Sequence, residues 1–135
     1  MALAAPASNL NSAPQNIDAS AALRGVFSIF DVWGLSAPEG RTLLGDPSPA
    51  TYFNWKKGKA PKSLPRDVLG RIGLIAGIWK ALQILYSDHA LADRWLRAEN
   101  RAFAGKTPLA VLTGGDMAEL IRVRQYLDAA RGAWG

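Results

Sequence analysis

The chain has 135 residues, no cysteine and one histidine, His89. Without cysteine there is no disulfide framework, thiolate metal site or cysteine nucleophile, which suits a cytoplasmic protein. A single histidine excludes a histidine-rich metal centre. Neither a Walker sequence nor a GxGxxG occurs, so no phosphate-cradling loop is signalled. The acids are scattered, and no pair has a spacing suited to a nucleophile or to metal ligation. His89 has no serine or cysteine constellation beside it. These absences argue against an enzyme, and neither metal nor cofactor is expected. The most apolar stretch, residues 72–85, is interrupted by Lys80 and Gln83. It falls short of the roughly 20 apolar residues of a membrane span. The opening MALAAPASNLNSAPQN lacks the basic n-region and continuous apolar h-region of a signal peptide.

A further shortage is local. Residues 47–66 contain no acid but five bases, Lys56, Lys57, Lys59, Lys62 and Arg66. The chain has 16 Lys+Arg and 11 Asp+Glu; removing these five leaves 11 against 11, so the net charge of +5 resides in one segment. Tyr52, Phe53 and Trp55 lie beside it. Positive charge concentrated in this way suits a polyanion, most often nucleic acid. A solvated basic surface or an acidic protein partner would carry the same charge.

Apolar spacing is helical throughout, no stretch alternates like a strand, and the expected class is all-α with six to seven helices. Residues 1–17 are Ala, Ser, Asn, Pro and Gln with few bulky groups, which predicts a flexible tail. Residues 18–33 place Leu23, Phe27 and Phe30 on one face, and Gly34 is a stop. Ser36, Pro38 and Glu39 form a capping-box start. A turn around Gly45 leads to a second start at Ser48-Pro49, and a short helix ends at Gly58. Helix, tight turn, short helix is the order of a helix-turn-helix. On its exposed side Ser48, Thr51 and Asn54 would address bases or sugars, while Lys56, Lys57, Lys59, Lys62 and Arg66 would meet phosphates. The aromatics should be core, with Phe53 and one of Tyr52 or Trp55 pointing inward.

Ser63 and Pro65 signal the longest helix, expected over residues 65–86 with Val68, Ile72, Ile75, Trp79, Leu82 and Tyr86 on one face. Gly70, Gly73 and Gly77 form a stripe that suggests a close helix–helix approach. Asp88 caps a helix expected to bury Leu91 and Trp95. Phe103 is a lone anchor, Thr107-Pro108 starts a short helix, and Gly114-Gly115 breaks it. The final helix carries Met117, Leu120, Ile121, Leu127 and Ala130 on one side. Arg122, Arg124 and Arg131 lie largely outside that stripe. Trp134 either folds back or inserts into a partner.

Trp95-Leu96, Asn100, Phe103, Gly105, Thr107-Pro108, Leu112, Gly115, Leu120, Val123 and Leu127 together resemble the toxin-binding domain of the Xre/MbcA/ParS antitoxins, with ParS-like antitoxins the nearest type. Upstream, Leu43-Leu44-Gly45, Trp55, Leu64, Asp67 and Arg71-Ile72 resemble the family's Xre-like helix-turn-helix region. The resemblance spans about residues 27–127. It implies residues 18–64 as a DNA-binding module, joined through the long helix to a helical toxin-binding domain over 65–135. The implied partner is a RES-domain toxin that degrades NAD or transfers its ADP-ribose. The antitoxin would close the NAD cleft with its C-terminal region, here Arg122, Arg124, Arg131 and Trp134. Operator DNA and a homodimer are further implied partners, with autorepression of the operon. The competing reading is a stand-alone helix-turn-helix regulator whose C-terminal helices dimerise.

Overall fold

Short polar side chains start most of the helices by accepting a backbone N–H that has no intrahelical partner. The computed structural model describes residues 18–134, with side chains through residue 132. The expected tail over residues 1–17 lies outside the described residues. Helix α1 (Ala19–Trp33) starts at Asp18, which accepts from Ser20 N–H, and ends at Gly34 in the left-handed region, φ 67°. Helix α2 (Ala37–Leu43) has the full capping box: Glu39 N–H donates to Ser36 Oγ at 3.3 Å, and Ser36 N–H to Glu39 Oε1 at 2.8 Å. Ser48 caps α3 (Pro49–Lys56) by accepting from Thr51 N–H. The long α4 (Arg66–Leu85) starts at Pro65, as expected, without a side-chain cap. Asp88, Asn100 and Thr107 then cap α5 (His89–Arg97), a 3-10 turn (Arg101–Phe103) and α6 (Pro108–Leu112). Helix α7 (Met117–Trp134) closes the chain. All regular structure among the described residues is helical.

Helix α4 is the axis of the fold. It packs most extensively against α7, and also against α1 and α5. By length and composition it could cross a membrane. Here, however, Val68, Ile72, Ile75, Ile78, Ala81 and Leu82 are buried in the protein core. That core is continuous from Ala19 and Leu23 on α1 to Leu120, Val123 and Leu127 on α7. The glycine stripe lies partly under α7: Gly70 faces Met117, and the Arg124 guanidinium lies where a side chain on Gly77 would be. Nothing approaches Gly73.

Three helix faces differ from expectation. In α3 both Tyr52 and Trp55 are buried, while Phe53 is 44% exposed. Tyr52 and Trp55 are three apart and share a face, and Tyr52 packs edge-on against Phe27 at 5.2 Å. In α5 Ala92 and Leu96 are buried and Leu91 is exposed, with Trp95 only half-buried. The buried stripe is rotated by one residue because this short helix is oriented by what it packs on. In α7 Val123 joins Leu120 and Leu127 in the core, whereas Ile121 is exposed. Phe103 is not a lone anchor either: Trp95, Phe103 and Tyr126 form a three-ring cluster with centroids 5.3–6.5 Å apart.

Gly40 is the tightest contact between α2 and its neighbours. A Cβ there would collide with the Tyr52 hydroxyl and come within 3.1 Å of the Phe30 ring. Tyr52 is 2% exposed and has little room to retreat. Burial, reinforced by Asp31, also raises the pKa of its phenol. Gly40→Ala should therefore destabilise by about 1–2 kcal/mol, overpacking outweighing the helix-propensity gain. Urea unfolding measures this, and a variant more stable than wild type would show that Tyr52 moves freely.

Candidate functional site

The basic segment is exposed from the end of α3 through the loop to the start of α4. Helix α2 ends at Gly45 (φ 91°) and Asp46 (φ 64°), a left-handed pair that turns the chain. Arg41 braces this turn by donating to Pro47 O at 2.9 Å and pairing with Asp46 at 3.2 Å. Ser48 and Asn54 are exposed and Thr51 is half-buried. The Ser48 hydroxyl already serves the helix start and bonds Thr51 Oγ1 at 3.0 Å, whereas Asn54 presents an exposed amide beside Phe53. Lys56, Lys57, Lys59, Lys62 and Arg66 are all exposed. Among the described residues, none of these five forms an ion pair, unlike most of the arginines elsewhere. Unneutralised cations next to a short capped helix create a positive field directed at solvent.

The C-terminal arginines sit differently. Arg122 pairs with Glu119 at 3.7 Å, donates to Ala102 O at 3.2 Å and lies over the Phe103 ring at 5.2 Å. It therefore fastens the 3-10 turn to α7 while remaining half-exposed on its outer side. Arg124 and Arg131 both address Asp128, at 3.1 and 3.9 Å. They border an open groove that Arg122 does not reach. The Trp134 side chain lies outside the described residues. His89 is exposed at the first residue of α5, and no metal-ligand cluster occurs among the described residues.

One residue links the two surfaces. Arg71 is 8% exposed and its Nε donates to Asp67 Oδ2 at 3.0 Å. Its Nη1 donates to Gly115 O at 2.8 Å and approaches Leu43 O at 3.4 Å. A single guanidinium thus holds the end of α2 to the turn that starts α7. Gly45 makes room for it: a Cβ there would lie 2.9 Å from Asp67 Oδ2 and 3.1 Å from Arg71 Nε. The sequence signal was an arginine on the apolar face of a long helix with an aspartate four residues before it. Across the other end, Arg97 donates to Trp33 O and ties α5 to the end of α1.

Comparison with known proteins gives this arrangement a context. Residues 81–132 match the antitoxin Xre/MbcA/ParS C-terminal toxin-binding domain. The match begins inside α4 and takes in α5, the three-ring cluster, α6 and most of α7. Over 112 residues the chain is 45% identical to the uncharacterized protein y4oB of Sinorhizobium fredii (strain NBRC 101917 / NGR234), covering 83% of this chain and 85% of that protein. The residues that pack the matched region (Leu96, Phe103, Leu112, Leu120, Val123 and Leu127) are all buried. The chain belongs to the Xre/MbcA/ParS antitoxin family and carries that family's toxin-binding domain in its C-terminal part.

Proposed function

We propose that the protein is the antitoxin of a type II toxin–antitoxin system whose toxin is a RES-domain enzyme acting on NAD. The C-terminal half binds the toxin, and the last helix and tail (Arg122, Arg124, Arg131 and Trp134) occlude its NAD cleft. The observation that carries this reading is the match of residues 81–132 to a toxin-binding domain. Arginine suits the task because its fixed fork recognises carboxylate and phosphate geometry. The inhibitor itself needs no catalytic group.

The second part of the proposal is autorepression. Residues 18–64 act as a helix-turn-helix in which α3 enters the major groove of operator DNA, with a homodimer reading two half-sites. Its support is the set of five exposed bases on and after α3, none with an ion-pair partner among the described residues. Phe53, exposed beside Asn54, adds an apolar group suited to a thymine methyl. The same surface would serve a stand-alone regulator whose C-terminal helices only dimerise.

Co-expression with the product of the neighbouring gene separates these readings. That product should arrest growth alone, be harmless with this chain, and co-purify with it. Truncation after Asp128 should weaken neutralisation and leave DNA binding intact. A neighbouring product that is harmless alone, or does not co-purify, rules out the antitoxin role; full neutralisation by the truncated chain rules out the tail.

A further inference from the structure

The toxin-binding region contains an apolar side chain that the fold leaves uncovered. Ile84, on the last turn of α4, is 54% exposed, and no large apolar side chain among the described residues is more so. It borders an open groove of about 590 Å³ whose other walls are Arg124, Asp128, Arg131 and Gly132 on α7. All five residues fall within the matched segment. The groove sets one apolar side chain, Ile84, beside three charged ones, and an apolar anchor next to polar groups is how binding surfaces concentrate their energy. Its charge is unbalanced: one carboxylate, Asp128, serves two guanidiniums, and its contact with Arg131 is the looser at 3.9 Å. Helix α7 ends beside the groove, and Gly132 adds no side chain to obstruct it.

We infer that this groove is a docking site for the toxin, with Ile84 as the apolar anchor and Arg131 receiving a carboxylate. The occupant is an acidic segment of the partner that presents an apolar side chain next to an Asp or Glu. Its apolar group would cover Ile84, and its carboxylate would complete the pairing that Asp128 leaves unfinished. The inference rests on the antitoxin reading and deepens it: Arg124 and Arg131 belong to the surface already assigned to the toxin, and Ile84 adds a contact on α4 beside them.

The test uses the full chain and the purified product of the neighbouring gene, with affinity measured by calorimetry. Ile84→Asp should weaken binding by about 100-fold, as loss of a central apolar anchor does, and Ile84→Val should restore most of it. Arg131→Glu should weaken binding by about tenfold, with a reduced dependence on salt. Because Ile84 is exposed, circular dichroism and melting temperature should stay at wild-type values. Val32→Asp is the control, since Val32 is 51% exposed on α1 beside a different groove; it should leave toxin binding unchanged. If the wild-type chain does not bind the product, the antitoxin reading fails and the groove with it. If wild type binds and Ile84→Asp binds equally well, only the groove is refuted. Loss of binding in Val32→Asp instead would move the docking site to α1. Conversion of a dimer to a monomer by Ile84→Asp, with toxin affinity intact, would make the groove an interface between copies and overturn the inference.

Discussion

Arg71→Ala is expected to lower the unfolding free energy by about 3 kcal/mol, as removal of a buried, charge-assisted hydrogen-bonding group does. The wild-type guanidinium is 8% exposed and donates to the half-buried Gly115 O at 2.8 Å while approaching the buried Leu43 O at 3.4 Å, so its loss removes the donor that both carbonyls share. The Asp67 pair contributes little to this figure, because the Asp67 side chain is 59% exposed and water replaces its partner. Thermal unfolding should shift downward by roughly 10–15 °C for a domain of this size. Arg71→Lys should recover only part of the loss, since a point charge cannot donate to Asp67, Leu43 O and Gly115 O together. A loss below about 0.5 kcal/mol, the range of ordinary surface changes, would mean the turn before α7 is held by packing alone. The consequence extends to function, because Arg71 joins the end of α2 to the start of α7.

The second large effect concerns the basic surface. Each phosphate neutralised contributes roughly 0.9 to the slope of log affinity against log salt. Replacing Lys56, Lys57 and Lys59 by Ala should therefore flatten that slope by about 2.7 and weaken operator binding roughly 500-fold at about 0.1 M salt. Stability should change little, because all three side chains are exposed and none is paired among the described residues. Fluorescence anisotropy across a salt series on the promoter fragment of its own operon measures both quantities. An unchanged slope would remove this surface from the interface. Toxin binding should be untouched, which separates the two surfaces experimentally.

Helix starts were legible because they depend on neighbours in sequence. Ser36 with Glu39, Ser48, Asp88 and Thr107 start the helices they were expected to start, each bonding a backbone N–H two or three residues on. Gly34 and Gly58 end helices with positive φ for the same local reason. The long α4 was legible too, since Val68, Ile72, Ile75, Trp79 and Leu82 recur at helical spacing within it. The residues that carried the resemblance to the antitoxin family, including Leu120, Val123 and Leu127, are the ones α7 buries. The stripe chosen from hydrophobicity alone included Ile121, which is exposed.

What failed was orientation, and it failed on short helices and on charged groups in the core. Helix α3 has eight residues and three aromatics, so its sequence admits more than one inward face. The cavity beside Phe27 and Gly40 chooses Tyr52, and Phe53 is turned out towards the basic surface. In α5 the choice between Leu91 and Ala92 depends on where α6 and α7 stand. Arg71 reads as one more base in a count of charges, and only the meeting of Gly45, Leu43 and Gly115 makes it a buried connector. Ile84 is one more apolar residue of α4 in the sequence, and only the packing of α7 leaves it exposed at the edge of a groove. The sequence by itself therefore determined the all-helical class, the helix boundaries, the concentrated positive charge and the family. Tertiary structure alone decided which face of each helix is inside, because burial depends on groups far apart in the chain that meet only once it has folded.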